Sequence, residues 1–100
     1  MSDLEFTFSA PLWLWTGKGA WHFITLPYDI SAQIKAMTER RGFGSVRVAA
    51  SVNGQGWKTS VFPDSKTGCY FLPVKGEIRK ACKISAGDVA SIKIGVDVAG

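Results

Sequence analysis

Histidine occurs once in this chain, at His22, and cysteine twice, at Cys69 and Cys82, so the common metal ligands and catalytic bases are nearly missing. Four soft ligands for zinc cannot be assembled from that supply. The cysteines fall in different predicted elements with no CxxC spacing. In a cytosolic chain they stay reduced and serve as small apolar residues. The longest nearly apolar run, Ala10 to Trp15, is far too short to span a bilayer. The first residues, Met-Ser-Asp-Leu-Glu, are acidic and carry no basic n-region, so a secretory signal is not expected and the cytoplasm is.

Catalytic signatures are equally sparse. Ser60 and Ser85 lack a Gly-x-Ser-x-Gly elbow. Gly17-Lys18-Gly19 is not a P-loop, and Gly42-Phe43-Gly44 follows a predicted helix and precedes a strand, the reverse of a dinucleotide fingerprint. His22 as a general base would need a nucleophile and an orienting acid, which no motif supplies. Beside Ile24 and Leu26 in a predicted strand, it reads as structural. No metal and no cofactor are expected, and an enzyme would need a nonstandard site.

What is present suits one core. A chain of 100 residues with 46% hydrophobic and 20% charged residues has ordinary globular composition. It buries roughly 60–70% of its unfolded surface, enough to fold without disulfides. No linker or composition shift divides residues 1–100, which reads as a single β-barrel domain. The net charge of +4 favours polyanions in general without naming a partner.

Two-residue alternation at Phe6, Phe8 and Ala10 predicts a half-buried strand that must bend, bulge or lie on an edge at Pro11. Leu12-Trp13-Leu14-Trp15 is apolar on both faces, covered twice or buried against another subunit. A return strand runs from Ala20 to Leu26, and Trp21 and Trp57 are expected to fill the core. Leu26-Pro27 ends that strand; Asp29 or Ser31 caps a helix whose stripe is Ile30, Ile34 and Met37, ended by Gly42. Ser45 to Val52 alternates cleanly, and Asn53-Gly54 signals a hairpin, with Gln55-Gly56 lengthening the loop before a strand from Trp57 to Phe62. Pro63 to Gly68 is a polar turn and Cys69 to Leu72 a short strand. Leu72-Pro73 then leads to a helix through Cys82, with Ile78, Ala81 and Cys82 inward. Ala86-Gly87-Asp88 turns into a last strand, Val89 to Val98.

The pattern Leu26-Pro27, Gly42, Val46-Arg47-Val48 thus returns as Leu72-Pro73, Gly87, Ile92-Lys93-Ile94. The expected fold is mainly β with two short capping helices: a small closed or double-split β-barrel of about six strands with an internal pseudo-repeat, which leaves few exposed edges.

Trp21-His-Phe-Ile-Thr-Leu-Pro27, Val52-Asn-Gly, Trp57-Lys-Thr-Ser60, Tyr70-Phe-Leu-Pro-Val-Lys75, Arg79-Lys-Ala81 and Gly87-Asp-Val89 occur in that order over nearly the whole chain. In these the chain resembles the bacterial family known only as domain of unknown function nineteen-oh-five. The resemblance implies a double-split β-barrel related in shape to AbrB-like transcription factors, whose swapped-hairpin signature Leu72-Pro-Val-Lys-Gly-Glu-Ile-Arg-Lys-Ala and Ile84-Ser-Ala-Gly-Asp-Val89 looks like. It implies that one chain supplies both halves that AbrB-like proteins build from two. Longer relatives carry a YdeI-like, OmpD-associated segment, which is not expected here because the sequence ends at Gly100.

The candidate binding residues are Lys75, Arg79 and Lys80 around the start of the second helix, where exposed N–H groups favour an anion, with Lys58 and Ser60 extending the surface. The resemblance places Lys75 and Arg79 in the family pattern. The competing reading is a solvated helix face, with Arg79 bonded to a loop carbonyl or paired with Asp88. Because the first copy offers Asp29 where the second has basic residues, any site is expected to be asymmetric. Four tryptophans with basic neighbours allow base stacking but more often mean core or interface. Leu12, Trp13, Leu14 and Trp15 are the candidate interface of a monomer or homodimer. The leading functional expectation is a non-catalytic binding or interaction domain for a small anionic ligand or a protein. AbrB-like nucleic-acid binding comes second, an enzyme with a nonstandard site third, and no membrane partner is expected.

Overall fold

The computed structural model describes residues 4–38 and 44–96. The chain runs β1 (Leu4–Trp15), β2 (Trp21–Thr25), α1 (Tyr28–Thr38), β3 (Val46–Val52), β4 (Gln55–Pro63), β5 (Tyr70–Pro73), α2 (Gly76–Cys82) and β6 (Val89–Val96). The six strands close into an antiparallel barrel in the order β1-β2-β5-β4-β3-β6. None of the described helices is long and apolar enough to cross a membrane.

The barrel interior follows from strand parity. Val46, Val48, Ala50 and Val52 of β3 are buried, as are Ala90, Ile92, Ile94 and Val96 of β6, while the residues between them mostly face out. Leu12, Ile24, Leu72 and Val61 close the same core, and Ile30 and Ile34 of α1 and Ile78 of α2 plug into it.

The pseudo-repeat is a property of the whole barrel. Exchanging β1 with β4, β2 with β5 and β3 with β6 returns the same ring of neighbours. Thr25 pairs with Phe71 in the β2–β5 ladder, and Ala49 with Gly95 in the β3–β6 ladder. In both pairs 46 positions separate the partners, the same offset that carries Leu26 to Leu72 and Val48 to Ile94. A pseudo-two-fold axis therefore passes through both ladders. One chain closes the barrel.

Each half is split by a strand that changes partners. β1 pairs with β6 from Leu4 to Pro11, then with β2 from Leu12 to Trp15. Pro11, which has no N–H for a ladder, sits where the partner changes. β4 pairs with β3 along Gln55–Val61 and reaches β5 only through Phe62–Phe71 and Pro63–Tyr70. Beyond those two pairs, β4 and β5 diverge.

Several expectations need correction. Trp21 is 54% exposed and not in the core, because the inward parity of β2 belongs to Ile24 and leaves Trp21 outside. The α1 stripe is Ile30, Ile34 and Thr38, each four residues apart. Met37, one position off, is exposed, and the buried Thr38 hydroxyl donates to the Ile34 carbonyl at 2.7 Å. Ser31 is no cap: it lies inside α1, fully buried, accepting the Tyr70 amide at 3.0 Å while donating to the Leu26 carbonyl. The hairpin loop is Asn53-Gly54 alone, both at positive φ, with Val52 directly opposite Gln55. Ala81 is exposed, since Ile78 and Cys82, one turn apart, take the inward line. Gly42 and Val98 lie outside the described residues.

Candidate functional site

The divergence of β4 from β5 leaves a groove of about 260 Å³ lined by Trp21, His22, Trp57, Lys58, Thr59, Pro73, Val74 and Lys75. Parity explains its composition. Trp57 and Thr59 are inward residues of β4, opposite Ala50 and Val48, and they are half-buried because β5 does not close over them. His22 is the inward residue two before Ile24, just beyond the paired stretch of the β2–β5 ladder. There its carbonyl accepts the Val74 amide at 2.9 Å. Trp21 and Pro73 come from the outer face of the same strands, and exposed Lys58 and Lys75 stand at the rim.

His22 contributes an unsatisfied atom. Its Nδ1 is buried with no hydrogen-bond partner. Burial first, and the Arg79 guanidinium second, hold the imidazole below its ordinary value, so it is neutral at pH 7. Neither Lys58 nor Lys75 forms an ion pair with a described residue.

The structure divides the expected basic cluster. Lys58 and Lys75 share the groove. Arg79 and Lys80 instead line a more open 470 Å³ depression with Gly76, Glu77 and Ile84. Arg79 is already in use, its Nε donating to the Val74 carbonyl at 3.3 Å and so strapping the β5–α2 junction. Asp88 is engaged elsewhere, accepting the Ser85 amide at 2.8 Å. Ser60 faces away from the groove opposite Arg47 on β3. The helix-start argument weakens too: α2 has only seven residues, and its first turn carries Glu77.

The candidate interface also divides by parity. Leu12 is a core residue, 1% exposed, and so not an interface residue. Trp13 lies half-buried on the outer face, donating from Nε1 to the Thr25 hydroxyl at 2.8 Å. Around it Phe23 and Phe71 pack with ring centroids 5.2 and 5.3 Å away, and Trp21 stacks on Phe23 at 6.3 Å. Leu14 and Trp15 remain exposed at the strand end.

The repeat-related position is built differently. Displacement by 46 residues carries Val74 to Tyr28, Lys75 to Asp29 and His22 to Gly68. There the Tyr28 ring lies so close to Gly68 that an added Cβ would stand 3.1 Å from it. One end of the barrel therefore carries tryptophan, lysine and histidine, the other a tyrosine over glycine. Sequence reasoning had Lys58, Lys75 and the tryptophans separately and missed His22 as their companion, because which face of β2 points inward is set by its pairing with β5.

The described residues contain no group of three or more His, Cys, Asp or Glu able to hold a metal. Among curated proteins none matches this chain. Residues 8–94 match the family described as Domain of unknown function (DUF1905), and the chain belongs to that family.

Proposed function

We propose that this chain is a non-catalytic binding domain that holds a small ligand in the groove between β4 and β5. The observation that carries this reading is a groove in which two indole rings and the His22 side chain stand beside two lysines, neither of which forms an ion pair with a described residue. A concave, largely apolar site with a few polar and charged groups at its edge is where small ligands bind. The two free thiols suit a reducing cytoplasm.

AbrB-like nucleic-acid binding is the second reading, favoured by the net charge of +4. The division of the basic residues by α2 weighs against it. A thermal-shift screen of a small-metabolite library separates the readings. Expected are hits whose stabilisation disappears in a Lys58→Ala/Lys75→Ala variant and that are recovered chemically unchanged. Hits indifferent to that variant, or turned over, contradict the proposal. Salt-dependent binding of duplex DNA in place of any metabolite supports the second reading.

A further inference from the structure

We infer that the groove ligand is a planar aromatic anion: one or two fused rings bearing a carboxylate or phosphate, seated along Trp21 and Trp57 with the charged group on Lys58 and Lys75. This deepens the binding-domain reading and rests on it.

Size sets the first limit. A groove of about 260 Å³ holds roughly nine water volumes, room for one or two rings and a small substituent but not for an extended chain. Shape and chemistry set the second. Trp57 is half-buried along the β4 wall and Trp21 stands exposed at the opposite lip, stacked nearly parallel to Phe23 at 13°, which holds its plane. Aromatic faces held in place prefer flat partners in offset or edge contacts. Pro73 and Val74 complete an apolar floor without adding charge.

Charge sets the third. Among the described residues, the charged side chains lining the groove are Lys58 and Lys75. Lys58 comes from β4 and Lys75 from the turn between β5 and α2, and both border the same groove. A lysine ammonium recognises carboxylate and phosphate alike as a point charge, so the groove itself does not distinguish those two sources. Glu77, two residues beyond Lys75, lines the neighbouring depression, and no described acid lines the groove.

Calorimetric titration with two matched pairs tests the inference: indole-3-carboxylate against indole-3-carboxamide, and adenosine monophosphate against adenosine. The expected result is binding of at least one anion about tenfold or more above its neutral partner, with the advantage abolished by Lys58→Ala/Lys75→Ala. Trp57→Phe, a milder change than Trp57→Ala for the fold, is expected to weaken the anion by a few-fold, and Trp21→Ala by about tenfold. The carboxylate arm and the phosphate arm then tell the two sources apart. Equal affinity of the anion and its neutral partner overturns the inference but leaves the binding domain standing. No binding by any of the four, while library hits still depend on the groove lysines, does the same. Stronger binding of oligothymidylate than of any of the four, falling with salt, overturns it in favour of a single strand.

Discussion

Ser31 of α1 accepts the main-chain N–H of Tyr70 at 3.0 Å, tying the first helix to the start of β5 across 39 residues of sequence. Both residues are buried, so neither group has water as an alternative. Replacing Ser31 with Ala orphans that amide and is expected to cost about 1–3 kcal/mol in denaturant unfolding. Hydrogen exchange locates the loss: the Tyr70 amide is expected to lose protection, whereas a helix-capping role would show its loss at the first amides of α1.

Lys83 is the residue that ends α2, in a left-handed conformation at φ 55, with its N–H reaching back to the Arg79 and Lys80 carbonyls. A non-glycine residue is strained there, and Lys83→Gly is expected to raise stability by about 0.5–1 kcal/mol. Equal or lower unfolding midpoints would show that the conformation carries no strain.

His22, the only histidine, gives the fold a defined response to acid. Its native pKa lies below the ordinary 6.5 of the unfolded chain, so on acidification the unfolded state takes up the proton first. The contribution to stability is complete above 6.5 and is lost as pH falls toward the depressed native value. His22→Phe removes that slope and also the open Nδ1, so the variant is expected to unfold no more easily than wild type at neutral pH and to hold up better in acid. An unchanged acid slope in the variant would contradict this.

The two thiols differ in a measurable way. Cys82 donates from Sγ to the Val52 carbonyl at 3.0 Å, and burial pushes its pKa up. A disulfide reagent at neutral pH is expected to modify Cys69 first, leaving one slow phase in Cys69→Ser.

Much of this architecture can be read from alternation and repetition. β3 and β6 alternate so regularly that their inward residues were evident, and the 46-residue echo of Leu26-Pro27 in Leu72-Pro73 anticipated the pseudo-two-fold axis. Which face of a strand points inward was harder. Trp21 and His22 are both plausible core residues, and only pairing with β5 puts the imidazole inside and the indole out. Ser31 reads as a cap until the Tyr70 amide is placed on it. The groove was least legible, because it arises where β4 stops pairing with β5, a point that no alternation in the sequence marks. Lys58 and Lys75 were found as charges, but Trp21 and His22 at the start of β2 and Trp57 on β4, which make them a site, come together only in the folded barrel.

The most direct measurement is a map of amide chemical shifts by heteronuclear NMR during titration with indole-3-carboxylate. A ligand seated between β4 and β5 is expected to move the amides of Trp21, His22, Lys58, Thr59, Val74 and Lys75 together, with one saturating dependence on concentration. Shifts confined to the Arg79–Lys80 depression, or to the outer face around Trp13 and Phe71, would contradict the assignment of the groove as the binding site.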